Sequence, residues 1–289
     1  VVIKRTGASL TQMFKEFVRH PRTTLASQNR VPAFLRGIFF AHERSTAGDG
    51  DANEKPAPGE EVYPSNPLMD YFNAHEKGPG VFKWLHYFEM YHRHLAKFVG
   101  KDVHVMEIGV YSGGSLGMWR SYFGAGARIT GVDIEPVCKA YENEHTKIVI
   151  GDQGDPSFWR RILADSPPID VLIDDGGHTP EQQMVTLEQV LPRMKPGGVF
   201  ICEDVHHLYN DFSSFVSGLD DALNAFRNTP VPPKKGDIRS VATPFQSWIH
   251  SIHHYPYAVV IEKHEKPITS FDAVRHGTEW QPFMGGRDS

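Results

Sequence analysis

At 289 residues, with 30 basic and 35 acidic side chains and a formal net charge of −5, the chain can bury a sizeable core but is too acidic to be held on nucleic acid by phosphate contacts. The only cysteines, Cys138 and Cys202, make no disulfide framework, which reads as a reducing, cytoplasmic setting. No apolar run approaches the roughly 20 residues of a membrane span.

Residues 10–40 carry apolar positions at helical spacing (Met13, Phe14, Phe17, Val18), which predicts an N-terminal helical extension over residues 1–44. Apolar residues within 31–40 could support the subunit contacts of a homo-oligomer. Residues 45–67 are mostly Gly, Asp, Glu, Pro and Ala, the composition of a flexible linker. The main domain is read as 68–265. It opens with a short helix at 68–72 and a longer one at 82–98, where Phe82, Leu85, Phe88, Leu95 and Phe98 supply one face and Gly100 closes the helix. Strands at 103–108, 128–132, 147–150, 169–173 and 199–202 then accompany helices at 115–123, 156–164 and 180–191. This alternation predicts an α/β fold, a Rossmann-like, doubly wound and mostly parallel sheet with helices on both faces. From 206 to 250 the pattern breaks down, as in a lid or insertion, with a plain loop at 230–237. Residues 251–254 and 257–262 read as an antiparallel hairpin at one sheet edge, and 266–289 as a weakly patterned tail.

Open α/β sheets bind ligands beyond the carboxyl ends of their strands. The first strand end carries Glu107, Gly109, Tyr111, Ser112, Gly113 and Ser115. Glycines there let backbone N–H groups approach a ligand, and the helix that follows favours negative charge. Asp133 ends the next strand, where an acid can accept the two hydroxyls of a ribose. Asp152 and Gln153 end the third and could flank an adenine, so an adenosine-containing ligand is expected. Two further strand ends carry Asp174-Asp175-Gly176-Gly177-His178 and Glu203-Asp204. Asp175, Glu203 and Asp204 offer hard oxygens suited to Mg²⁺ or a similar divalent cation, and His178 could serve as general base. Asp174 points to the other side of the chain and either supports the site or touches the ligand. The histidines at 86, 92 and 94 fit one amphipathic helix rather than a zinc site, and His206-His207 read as solvated.

Glu107-Ile108-Gly109 with Gly113, then Asp133, then Gly151-Asp152, resembles the class I S-adenosylmethionine-dependent methyltransferases. The Asp174 to His178 segment with Glu203-Asp204, and Trp84-Leu85-His86-Tyr87-Phe88 ahead of the glycine turn, narrow the resemblance. It is then to the magnesium-dependent sugar O-methyltransferases of the macrocin and mycinamicin type, and to the cephalosporin hydroxylase-like proteins. It spans about residues 84–207 and returns at 251–262; the extension, linker and tail are not covered. The resemblance implies S-adenosylmethionine held by the first three strand ends and Asp174, and Mg²⁺ on Asp175, Glu203 and Asp204. It implies His178 as base and a small-molecule or glycoside acceptor methylated on a sugar hydroxyl, with 206–250 on the acceptor side. Two rival expectations keep the fold: methylation of a catechol-like phenol, or a non-catalytic protein that binds an adenosine ligand. An iron oxygenase would want more histidine than these strand ends offer.

Overall fold

The computed structural model describes residues 36, 38–41, 63–206, 210–226 and 237–279. Two units are distinguished, Val1–Val62 and Tyr63–Ser289. Most of the extension and most of the linker read from the sequence lie outside the described residues. Within the first unit, residues 38–41 are helical, with Phe39 and Phe40 exposed.

In the second unit α1 (Pro67–Ala74) starts where Asn66 accepts from the Leu68 and Met69 amides and Pro67 takes the first helical position. After α2 (Tyr87–Leu95) come β1 (His104–Ile108), α3 (Gly114–Phe123), β2 (Arg128–Asp133), β3 (Thr146–Ile150), α4 (Pro156–Asp165), β4 (Ile169–Asp174), α5 (Pro180–Val190) and β5 (Met194–Cys202). Then follow α6 (Asp211–Leu223), β6 (Ile238–Val241), α7 (Pro244–Trp248), β7 (Ile249–Tyr255), β8 (Ala258–Lys263) and β9 (Ser270–Ala273). The seven-stranded sheet has the order β3-β2-β1-β4-β5-β8-β7, parallel except where β8 and β7 join. The hairpin sits at the sheet edge, as expected.

Alternate residues of each strand divide between two cores. Val105, Val171, Val199 and Val260 face Phe88, Tyr91 and Trp119, while Met106, Leu172, Phe200 and Ile261 face Phe158, Trp159 and Phe212. Each face is therefore covered by helices, which explains the near-continuous apolar strand sequences. Among the described residues no helix is long and apolar enough to cross a membrane.

Three expectations need correction. The helix read over 82–98 begins only at Tyr87, and Phe82 and Leu85 are 90% and 41% exposed. Just ahead of Tyr87 the chain is not helical, and there the Lys83 side chain turns inward to Asp175 and Glu203. Residues 206–250 are not patternless, since they hold α6, β6 and α7. The tail contributes β9, which pairs antiparallel with β6. The loop read at 230–237 lies, apart from Asp237, outside the described residues.

His104 gives the fold a pH dependence. It is 2% exposed, with Nε2 2.9 Å from Thr130 Oγ1 and Nδ1 3.2 Å from the Pro167 carbonyl. Burial holds its pKa below the usual 6.5. The unfolded chain therefore takes up a proton that the folded chain resists. His104 stabilises the fold fully above about pH 6.5, and that contribution is lost as pH falls below it. Urea unfolding at about pH 7.5 and about pH 5 should show a smaller loss for His104→Gln than for the parent. Equal losses would remove His104 as the source.

Candidate active site

Strand register builds the site. Ile108 pairs with Asp174, and Asp174 with Cys202, so β1, β4 and β5 end level. The residues just beyond them are Gly109, Asp175 and Glu203. The Asp175 amide donates to the Ile108 carbonyl (3.0 Å) and the Glu203 amide to the Asp174 carbonyl (2.9 Å), so pairing continues one residue past each strand. Gly109 has φ +89°, and a Cβ there would collide with the Asp175 carbonyl. That close approach is what makes glycine necessary at this position.

Beside these strand ends lies a cavity of about 860 Å³, lined among others by Gly109, Tyr111, Ser112, Ser115, Asp133, Asp152, Gln153, Asp175 and His178. Of the residues expected to hold the adenosine ligand, Glu107, Gly113 and Asp174 do not line it. Glu107 lies beneath: Oε2 accepts from Ser115 Oγ (2.7 Å), and Oε1 is buried without a hydrogen-bond partner. Gly113, at φ +76°, forms the turn into α3.

Several polar groups expected to face ligand also brace the backbone. Asp133 accepts from the amides of Val110 (2.8 Å), Tyr111 (3.0 Å) and Glu135 (2.9 Å). Burial alone would raise its pKa; the amides outweigh it and hold the carboxyl below the usual range. Asp152 Oδ1 accepts from the Gly154 amide at 2.7 Å. Gln153 is 5% exposed, donates to Asp174 Oδ1 (2.9 Å) and accepts from the Gly177 amide (2.7 Å). It thus brackets the glycine turn while also lining the cavity. Asp174 is 1% exposed, and burial pushes its carboxyl up to about 7. It supports the turn from below, the first of the two roles expected for it.

On the open side, Asp175, His178 and Asp204 converge. His178 Nε2 lies 3.9 Å from Asp175 Oδ1 and 3.6 Å from Asp204 Oδ2. Potential ligand atoms of these residues all lie within 4.8 Å of one another. His178 and Asp204 adopt left-handed backbone, with φ 55° and 54°; Tyr111 (47°) and Tyr257 (63°) do the same. Among the described residues no other non-glycine has positive φ, and all four flank this site. Such strain concentrates where side chains must be aimed.

Glu203, expected as a further ligand beside Asp204, turns inward. It is 1% exposed, accepts from Tyr91 Oη (2.6 Å), and holds Lys83 Nζ at 3.1 and 3.2 Å. Lys83 also meets Asp175 Oδ2 (2.6 Å) and Glu107 Oε1 (3.5 Å), with its side chain 2% exposed. Burial alone would lower the Lys83 pKa; Asp175, Glu203 and Glu107 outweigh it and hold the ammonium charged. Burial likewise pushes the Glu107 carboxyl up. Three carboxyl groups thus share one ammonium. Asp175 and Asp204, with hard oxygens and His178 beside them, fit a divalent cation. Glu203 could join only by yielding its contact with Lys83. Glu107 Oε1, buried beneath the cavity without a hydrogen bond, has the Lys83 ammonium 3.5 Å away as its counter-charge.

Sequence reading gave no site role to Lys83, Tyr91 or Tyr257, and Trp84 and Tyr87 entered it only through the resemblance. Trp84 Nε1 donates to Asp204 Oδ1 at 2.9 Å, and Tyr87 Oη lies 3.0 Å from the same oxygen. A charged residue inside the apolar segment between Gly80 and α2 was the only local signal for Lys83.

Residues 106–205 match the family model of a methyltransferase domain. The chain is 32% identical over 203 residues to the 8-demethyl-8-alpha-L-rhamnosyl tetracenomycin-C 2'-O-methyltransferase of Streptomyces olivaceus, covering 64% of this chain and 52% of that one. It is 37% identical over 137 residues to the demethylmacrocin O-methyltransferase of Streptomyces fradiae, covering 44% and 34%. Among solved structures, the MycE methyltransferase from the mycinamycin biosynthetic pathway, in complex with Mg and SAH, aligns with a TM-score of 0.54 and 26% identity, over 68% of this chain and 53% of that one. The chain spans about half or less of the length of these relatives.

Proposed function

We propose, for a chain that carries a class I S-adenosylmethionine-dependent methyltransferase domain of the macrocin and mycinamicin type, that it moves the sulfonium methyl group of S-adenosylmethionine to a hydroxyl on a sugar of a glycosylated natural product. The observation that carries this reading is the convergence of Asp204 with Asp175 and His178, two residues that line the cavity beyond β1 and β4. The curated relatives named as O-methyltransferases of rhamnosyl tetracenomycin and demethylmacrocin support the acceptor class.

In this reading the turn from Gly109 to Ser115 holds the methyl donor, and Glu107 steadies that turn from beneath through its bond from Ser115 Oγ. Asp175 and Asp204 would hold Mg²⁺, which would supply Lewis-acid stabilisation of negative charge developing on the acceptor oxygen. An alcohol is a poor nucleophile until its proton leaves, so a base must stand at the open face. His178 stands there, its side chain 38% exposed, and takes the proton at Nε2. Trp84 and Tyr87 fix Asp204 Oδ1, leaving Oδ2 toward His178.

The test is methyl transfer from labelled S-adenosylmethionine to a panel of glycosides and catechols, with Mg²⁺ and after EDTA. Transfer to glycosides that stops with EDTA is the expected result; transfer to catechols alone would move the acceptor class. His178→Ala should lower the single-turnover rate by about 10²-fold or more while divalent-cation affinity changes little. An unchanged rate would remove His178 as base.

A further inference from the structure

Aromatic rings form one side of the carboxylate cluster, and no core requires them there. Trp84 is 49% exposed and Tyr257 is 45% exposed. Their ring centroids lie 5.5 Å apart with planes tilted by 47°. His206 stands edge-on to both, at 83° to Trp84 and 80° to Tyr257.

We infer that Trp84 and Tyr257, bordered by His206, are the seat for the pyranose ring of the acceptor, which rests on the reading proposed above and names its binding surface. Position argues for it first. The indole N–H is bonded to Asp204 Oδ1, so a ring lying on this aromatic pair has its hydroxyls beside Asp204 and His178. The construction of the seat argues for it next. Tyr257 occupies the turn between β7 and β8 in left-handed backbone, a cost that a tyrosine meets only when its surroundings enforce it. Those surroundings are specific. The Tyr257 carbonyl accepts from the Val205 amide (2.9 Å) and lies 3.0 Å from Tyr87 Oη, and His86 Nε2 lies 3.0 Å from the Pro256 carbonyl. The hairpin turn is thus bound to the start of α2 and to the loop after β5.

The chemistry of the rings selects the occupant. Their centroids are 5.5 Å apart, so the two rings touch, and a pyranose ring lies across their exposed faces rather than between them. Aromatic faces are negative and attract the slightly positive C–H edge of such a ring, while its hydroxyls remain free for the carboxylates.

Saturation-transfer NMR of methyl rhamnopyranoside and methyl glucopyranoside with the full chain tests the inference, alongside calorimetric titration of S-adenosylhomocysteine. Transfer to the sugar C–H protons is expected in the parent. Trp84→Ala and Tyr257→Ala should weaken pyranoside binding about tenfold with S-adenosylhomocysteine affinity unchanged, the loss of one stacking partner. Trp84→Phe keeps a ring but loses the bond to Asp204, and should retain most of the transfer. Equal pyranoside binding in the parent and both alanine variants would overturn the inference. So would a parent that binds S-adenosylhomocysteine and catechol but no pyranoside, and this outcome would leave the methyltransferase reading standing. A parent that binds pyranoside through these rings but not S-adenosylhomocysteine would uphold the seat and sink that reading.

Discussion

Lys83→Met is expected to destabilise the folded chain by about 3–5 kcal/mol, the range for removing one partner of a buried ion pair. The side chain is 2% exposed, and its ammonium serves Asp175, Glu203 and Glu107 together. Methionine preserves most of the volume, so the loss reports charge rather than packing. Glu107 and Glu203 are 0% and 1% exposed and cannot turn to water for compensation. Urea unfolding measures the effect. Adding Glu203→Gln to Lys83→Met should recover part of the loss, because one uncompensated charge is then removed. Millimolar Mg²⁺ should raise the midpoint of Lys83→Met more than that of the parent. An unchanged midpoint in the single variant would sink Lys83 as the internal counter-charge.

The second large effect is on rate. Asp175→Asn should lower single-turnover methyl transfer by about 10³-fold, equivalent to about 4 kcal/mol of barrier, while S-adenosylhomocysteine still binds. Asparagine keeps the shape and the backbone contacts of the β4 end, and removes only the charge shared between Lys83 and the open face. Mn²⁺ binding followed by electron paramagnetic resonance reads the cation directly and should weaken in parallel. Because Asp175 also steadies Lys83, unfolding curves accompany the rates to show that the variant is folded at the assay temperature. Parent-like turnover would remove Asp175 from the cation site.

The strand and helix order from residue 103 to 202 was legible because the period of apolar residues is a local property. Each buried strand reads as a short apolar run, and α4 and α5 start at side-chain caps, Asp155 for α4 and Thr179 with Gln182 for α5. The strand-end residues were legible for a related reason. In a parallel sheet with right-handed crossovers, polar residues just past successive strands must gather on one edge. Gly109, Asp175, His178 and Asp204 followed from that rule.

Other assignments depended on which neighbour each side chain meets. Whether Asp133, Gln153 and Asp174 face ligand or brace a turn depends on backbone amides brought from other strands and loops, and the residue types are the same in either case. Lys83 sits 92 residues from Asp175 and 120 from Glu203. No spacing rule spans such separations, and a single lysine before a helix ordinarily reads as solvated. The inward turn of Glu203 follows from Lys83 and Tyr91, and so escaped the sequence for the same reason. Residue order and periodicity determined the sheet and the set of groups at its edge. Only the packing of α2, the segment before it and the β7–β8 turn against that edge decided which oxygens face a cation, which are bound to an internal ammonium, and which rings stand open beside them. Pairing between charges and rings is short-ranged in space but unrestricted along the chain.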